Sequence, residues 1–239
     1  MNMLITICAR GGSKGIPGKN IKSVNNKPLI AYSIDCAFKF AELHQADITL
    51  STDDAEIKLI AEKYYLKTAY IRPAELATDT AGKIAVLRDV WKYEEKIKNK
   101  KYDYFLDLDI TSPLRTLEDL QLAFDMIRNR PDAYNLFSVS PPHRNPYFNM
   151  VEEGEDGYYK ICKPLPAYIH SRQMAPKVYD ANASFYFYSR KFFEANLLSA
   201  ATDKTLVYIV AHLCFDLDEP IDFEFLSYLL ENNKLNFSI

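Results

Sequence analysis

Thr6-Ile7-Cys8-Ala9-Arg10-Gly11-Gly12-Ser13-Lys14-Gly15-Ile16-Pro17-Gly18-Lys19-Asn20 joins an apolar run to a loop rich in glycine and cations. Met3 to Ala9 predicts a buried strand. Gly11, Gly12, Gly15 and Gly18 follow it, four of the chain's seven glycines. Glycine lets a ligand approach the main chain closely, and Arg10, Lys14 and Lys19 are interleaved with it, a combination suited to a polyphosphate. The loop is not of the Walker type, which ends Gly-Lys-Ser/Thr, because Gly18-Lys19 is followed by Asn20. GxGxxG does not occur in it either. Taken alone, the stretch also reads as an ordinary glycine-rich turn.

Working outward, Pro28 to Ala41 places Leu29, Ile30, Ile34, Ala37 and Phe38 on one helical face, so strand, loop and helix begin a βα unit. Ile48 to Ser51 predicts a short strand, and Thr52, Asp53 and Asp54 start signals for a helix from Ala55 to Tyr64. Asp53-Asp54 is better suited to a helix cap than to a metal pair, since neighbours on a strand point to opposite faces. Lys67 to Ile71 reads as a strand leading to Arg72-Pro73, and Thr78, Asp79 and Thr80 as the opening of a helix toward Ile97. Tyr104 to Leu108 is a further strand, followed by the polar loop Asp109 to Arg115 and a helix from Leu117 to Arg128. Such alternation implies an α/β class with a mostly parallel sheet and right-handed crossovers. Ligands gather at the carboxyl ends of such strands, where the Gly/Lys loop, Thr52-Asp53, Arg72 and Asp109 would fall.

After the strand Asn135 to Ser140 the pattern changes. Pro141, Pro142, Pro146, Pro164, Pro166 and Pro176 punctuate a stretch with a hairpin expected around Glu153 to Ile161. Residues 141–179 therefore read as an inserted β-rich arm between a core formed by 1–140 and 180–239. Ala183 to Tyr188 and Leu206 to Val210 return as strands. If Leu213 to Leu217 is another, Asp216 and Asp218 project on the same face, where two hard carboxylates call for a cation such as Mg²⁺. The competing reading makes Asp218 the cap of a helix from Pro220 to Leu230.

At 239 residues and 48% hydrophobic content the chain can bury one substantial α/β core. A net charge of −3 argues against a general nucleic-acid binder, so positive charge at a phosphate site must be local. Cys8, Cys36, Cys162 and Cys214 are scattered and read as reduced core residues of a cytoplasmic protein. No stretch reads as a signal peptide or a membrane span. His143, His170 and His212 lack metal-ligand spacing and read as structural or surface residues. A glycine, arginine and lysine loop for a triphosphate, with an aspartate pair for its metal, supports phosphoryl or nucleotidyl transfer.

Ala9 to Gly15 continuing to Lys19-Asn20 resembles the signature of the acylneuraminate cytidylyltransferases, the CMP-sialic acid synthetases. The resemblance recurs in Ser51-Thr52-Asp53, in Arg72 to Thr80, in Thr111-Ser112-Pro113-Leu114-Arg115, in Arg172-Gln173, in Asn182-Ala183 and in Phe215-Asp216-Leu217-Asp218, nearly the whole chain. It implies a Rossmann-like three-layer fold and CMP transfer from CTP to the anomeric hydroxyl of a nine-carbon α-keto acid sugar, releasing pyrophosphate. By that resemblance Arg10, Gly11, Gly12, Ser13, Lys14, Lys19, Asn20, Arg72 and Lys83 would bind CTP, with Arg10, Lys14 and Lys19 serving catalysis. Asp216 and Asp218 would carry Mg²⁺, with one of them assisting deprotonation of the attacking hydroxyl. Asp109, Arg172, Gln173, Asp180 and Asn182 would face the sugar, and the arm would make a homodimer.

Departures from the sialic pattern bear on the acceptor. Asp109 stands where that pattern has glutamine, Lys83 where a serine is usual, and Tyr179 to Ser184 replaces an Arg-Pro-Asn-Gly-like run. A pure acceptor in place of an amide changes which sugar substituents fit. With Arg144 to Asn149 and Arg172 to Lys177, these positions look more like the branch acting on legionaminic acid, with sialic acid as the alternative acceptor. A protein that binds nucleotide without catalysis is the alternative of a different class.

Overall fold

The computed structural model describes residues 1–12, 15–167 and 169–239. β1 (Met3–Cys8) leads through the glycine loop to a small hairpin, β2 (Ser23–Val24) and β3 (Lys27–Pro28), and then to α1 (Leu29–His44). Next come β4 (Asp47–Ser51), α2 (Ala55–Lys63), α3 (Lys83–Lys98), β5 (Tyr104–Leu108), α4 (Leu117–Arg128) and β6 (Asn135–Ser140). A second hairpin, β7 (Val151–Glu153) and β8 (Tyr159–Ile161), precedes β9 (Asp180–Ser189), α5 (Arg190–Glu194), β10 (Thr205–Ile209) and α6 (Pro220–Glu231).

Six strands form the central sheet in the order β10-β6-β9-β5-β1-β4, with β9 antiparallel to both neighbours and the other pairings parallel. The fold is thus α/β, mostly parallel. Strand alternation divides the core into two layers. Met3, Ile5 and Ile7 of β1, Leu106 and Leu108 of β5, and Phe185 and Phe187 of β9 pack with α1, α2, α4 and α6. Leu4, Phe105 and Tyr188 point the other way, against Val90 and Trp91 of α3 and Phe192 and Phe193 of α5. Between Leu106 and Leu108 the same alternation sends Asp107, a buried carboxylate, to the α3 side of the sheet.

The chain passes from β1 to β4 on one side and then crosses to β5 on the other, so the loops after these three strands share a carboxyl edge at the switch of direction. The loop after β5 is stitched down by Arg115, whose buried guanidinium donates to the carbonyls of Asp109 at 2.8 Å, Ser112 at 2.9 Å and Ser184 at 2.7 Å.

Three expected elements differ. Lys67–Ile71 makes no strand: it passes the edge strand β4, touching it through the Thr49 and Thr68 hydroxyls at 3.2 Å, while Thr68 accepts from the Tyr70 amide in a local turn that competes with a ladder. Thr78, Asp79 and Thr80 do not open α3, which starts after Gly82, because the Asp79 carboxylate is engaged by Arg10. Leu213–Leu217 is extended but unladdered. Its neighbour is the loop after β5, which offers isolated bonds, Leu217 N to Thr111 O at 2.9 Å and Ser112 Oγ to Phe215 O at 3.1 Å. The β2–β3 hairpin had its own signal in Asn25-Asn26, both at positive φ as a two-residue hairpin turn requires.

Residues 141–179 hold the β7–β8 hairpin and a turn of helix at Arg172–Met174. Where β9 re-enters the sheet its register against β6 shifts between Phe137 and Val139, and Ala183 adopts φ 58°. A left-handed conformation is costly for alanine and free for glycine. Ala183→Gly is therefore expected to stabilise the protein by about 0.5–1 kcal/mol, read as a higher urea midpoint at unchanged slope. A lower midpoint would contradict it.

Candidate active site

The loop after β1 closes on the segment before α6. Gly18, at φ 64°, turns the chain into the short helix Lys19–Ile21, which presents Lys19. The Lys19 ammonium donates to the Leu217 carbonyl, and a Cβ placed on Gly15 would stand 2.8 Å from the Asp218 carbonyl oxygen. Only glycine permits that approach. Buried Asn20 donates to the Arg10 carbonyl at 3.0 Å, and Arg10 pairs with Asp79 at 2.5 Å. The Gly11 amide donates to Asp53 at 3.1 Å, while Asp54 caps α2 by accepting from the amides of Glu56 and Ile57.

Arg10, Gly15, Lys19, Asn20 and Asp79 face a cleft of about 440 Å³, lined also by Arg72, Lys83, Asp109, Thr111 and Asp218. A larger depression of about 700 Å³ lies at the amino end of β4, beside Phe38 and Tyr65, away from the carboxyl edge where such sheets bind ligands. Arg72 is buried, and its guanidinium donates to the Ser51 hydroxyl at 3.0 Å and carbonyl at 2.9 Å.

Lys83, the first residue of α3, reaches between two carboxylates, 2.7 Å from Asp107 and 2.7 Å from Asp109. Burial opposes its charge, but the two aspartates outweigh burial and hold its pKa well above the usual lysine value. Burial likewise opposes the Asp109 carboxylate, yet Lys83 and the amide and hydroxyl of Thr111 bring it down to about 2. Thr6 donates to Asp107 at 2.8 Å, anchoring the group to β1.

Asp216 and Asp218 belong to the same corner without the strand that was expected to align them. The helix-cap alternative for Asp218 falls to its neighbours: Glu219 is the N-cap of α6, and Asp222 accepts from the Asp218 and Glu219 amides. Asp216 is half-buried beside Thr111; burial first, then Asp109 and Asp218, push its pKa up. Carboxylates crowded in this way fit a hard dication, which would relieve the repulsion. Among the described residues no group of three or more His, Cys, Asp or Glu side chains converges on a metal position, so water and substrate oxygens would complete the shell.

The expected sugar-facing residues do not all meet this cleft. Arg172, which donates to the Pro142 carbonyl, and Gln173 line a separate cavity of about 420 Å³ with Asn145, Pro176 and Tyr179. Asp180 accepts from the His143 amide at 3.1 Å. Asn182 is buried, with its amide spent on Ser138 at 2.6 Å and Ser140 at 3.0 Å. Ser13 and Lys14 lie outside the described residues.

The family model for cytidylyltransferases matches residues 4–232. The chain belongs to the cytidylyltransferase family. It is 40% identical over 234 residues to the post-translational flagellin modification protein B of Campylobacter coli, covering 98% of this chain and 97% of that one. It is 36% identical to the CMP-N,N'-diacetyllegionaminic acid synthase of Campylobacter jejuni, again over 98% and 97%. The fold is shared with a CMP:2-keto-3-deoxy-manno-octonic acid synthetase solved with CTP, at a TM-score of 0.69 and 17% identity, covering 98% of this chain and all of that one. This cytidylyltransferase is a CTP-using nucleotidyltransferase of the legionaminic and sialic acid synthetase group.

Sequence reasoning passed over Asp79, Asp107 and Thr111 as site residues. Asp107 had a signal, a charge alternating with leucines inside a buried strand. No helix is long and apolar enough to cross a membrane among the described residues. All four cysteines are free, and Cys214 is buried.

His212 of the cytidylyltransferase serves structure. Its Nε2 lies 2.8 Å from Asp119, and its ring stacks on Phe237 at 3.8 Å. Burial opposes its protonation, but Asp119 and the Leu213 carbonyl prevail and raise its pKa, while Asp119 itself is lowered. A raised histidine contributes stability that is complete below its unfolded pKa of about 6.5 and is lost as pH rises through the folded value. His212→Gln is therefore expected to cost more stability near pH 6 than near pH 9, measured by urea unfolding; an equal cost at both would contradict the pairing.

Proposed function

We propose that this enzyme catalyses Mg²⁺-dependent transfer of CMP from CTP to the anomeric hydroxyl of a legionaminic-type nonulosonic acid, releasing pyrophosphate. The observation that carries the reading is the seam at which Gly15 and Lys19 close on Leu217 and Asp218, setting the phosphate loop beside two carboxylates. The choice of acceptor rests on the identity to the legionaminic acid synthase and on Lys83 and Asp109 at the positions that depart from the sialic pattern. Arg10, Lys19 and the loop amides, with Gly11, Gly12, Ser13 and Lys14, would receive the triphosphate, and Asn20 and Arg72 would shape the nucleoside side of the cleft. Asp216 and Asp218 would hold the metal, which supplies neutralisation of phosphate charge when bound. One of the two carboxylates would accept the proton of the attacking hydroxyl, so that the oxygen bonds to the α-phosphorus as pyrophosphate leaves. Positioning and charge neutralisation suffice for such a transfer, with no covalent enzyme intermediate.

Residues 141–179 would form an arm contributing to a homodimer, and Arg172, Gln173 and Asp180 on it or at its edge would then face the acceptor across the dimer. We place the enzyme in the cytoplasm, where CTP is made.

The test is pyrophosphate release from CTP with a panel of purified nonulosonates. N,N'-diacetyllegionaminic acid is expected to turn over best; a strong preference for N-acetylneuraminate would overturn the legionaminic assignment. Asp216→Asn and Asp218→Asn are each expected to lower kcat roughly 100-fold or more and raise the Mg²⁺ requirement. Unchanged turnover in both would remove the metal assignment.

A further inference from the structure

Asp109 is not free to read the sugar directly, because protein donors occupy both of its oxygens. Oδ2 takes the Lys83 ammonium at 2.7 Å, and Oδ1 takes the Thr111 amide and hydroxyl, each at 3.0 Å. Lys83, in contrast, lines the cleft, with its ammonium 5.1 Å above the Tyr186 ring and about a third of its side chain exposed. Asp107 and Asp109 fix the ammonium from two sides, so a lysine that would otherwise sample many rotamers is held in one place. What this part of the cleft offers a ligand is a cation.

The cation stands close to the proposed chemistry. Thr111, bonded to Asp109, lines the same cleft as Lys83 and Asp218. The acceptor's own structure then matters. In an α-keto acid sugar closed to its ring form, the carboxylate and the reacting hydroxyl are carried by the same carbon. A cation near the carboxylates that receive the hydroxyl therefore stands near the acceptor's carboxylate, while the triphosphate has its own cations in Arg10 and Lys19, which line the same cleft.

We propose that Lys83 is the specificity-determining cation of the acceptor subsite, binding the carboxylate of the sugar acid, and that Asp109 is a positioning residue acting through Lys83 and Thr111. The inference rests on the acceptor being a sugar acid, as proposed above. It accounts for both departures at once: a lysine and an aspartate at these two positions form one ion-paired unit, and neither works alone.

Four forms of the full-length protein test this: Lys83→Met, Lys83→Arg, Asp109→Asn and the double variant K83M/D109N. CTP affinity is measured by calorimetry without acceptor, and KM and kcat with N,N'-diacetyllegionaminic acid and with its carboxamide. Lys83→Met and Asp109→Asn are each expected to raise the acceptor KM roughly 10- to 100-fold, with CTP affinity within about twofold of native. Lys83→Arg should recover most of the loss, and the double variant should be no worse than the weaker single one. Native enzyme should discriminate against the carboxamide, and Lys83→Met should not. Loss of CTP affinity in Lys83→Met with the acceptor KM unchanged would assign Lys83 to the nucleotide and overturn the proposal. Losses that multiply in the double variant would make Asp109 an independent contact and overturn its positioning role. Should Lys83→Met fail to fold, with Asp107 left buried and unpaired, Asp109→Asn and Lys83→Arg still decide through the acceptor KM and the carboxamide ratio. If native enzyme makes no CMP-sugar from any nonulosonate, the proposed function fails and this inference with it; product from native enzyme with an unaltered acceptor KM in the variants defeats this inference alone.

Discussion

The carboxyl edge of the sheet is held by one buried guanidinium. Arg115 is among the largest fully buried side chains of the protein, and its hydrogen bonds go to carbonyls and hydroxyls: those of Asp109, Ser112 and Ser184 and the hydroxyl of Ser33. Burying a charge costs several kcal/mol unless hydrogen bonds satisfy it, and here the two terminal nitrogens are satisfied by joining the loop after β5 to β9 and α1, while the buried Nε has no partner. Ser33 donates in turn to the Asp109 carbonyl at 2.9 Å. The backbone on which Asp109 and Thr111 stand is therefore set from below, before any ligand arrives.

Above that foundation the candidate site is a balance of opposed charges. The Asp107–Lys83–Asp109 group carries one net negative charge, and Asp216 and Asp218 add two more. Arg10 and Lys19 line the same cleft, Arg10 already paired with Asp79 and Lys19 bonded to the Leu217 carbonyl. A cleft built this way suits a polyphosphate that arrives with its cation, while the exposed part of the Lys83 ammonium is left as a local positive point. The chain's small overall charge hides this arrangement, since all of it is local.

Pattern carried much of the fold. The helix Leu117–Arg128 and the strands Tyr104–Leu108 and Asn135–Ser140 occur where periodicity and caps put them, with Thr116 and Asp119 forming a capping box. Lys67–Ile71 and Leu213–Leu217 have strand-like residues, yet neither pairs in a ladder. β propensity describes a surface that suits pairing; Leu213–Leu217 has a loop for its neighbour, and at Lys67–Ile71 the turn at Thr68 competes with the open edge of β4. For the site, the Gly/Lys loop and the aspartate pair were legible as chemistry, but Asp79, Asp107 and Thr111 were not. Each of those matters through a partner more than twenty residues away in the chain or through a loop fold.

By itself the sequence determined the alternation of strands and helices, the phosphate-suited loop and the presence of two carboxylates near its end, because local spacing and side-chain chemistry are written residue by residue. Only the tertiary structure decided that Gly15 abuts Asp218, that Glu219 and Asp222 rather than Asp218 cap the last helix, and that Lys83 lies between Asp107 and Asp109. Those outcomes depend on which strand ends lie side by side, a property of the whole sheet that no local pattern contains.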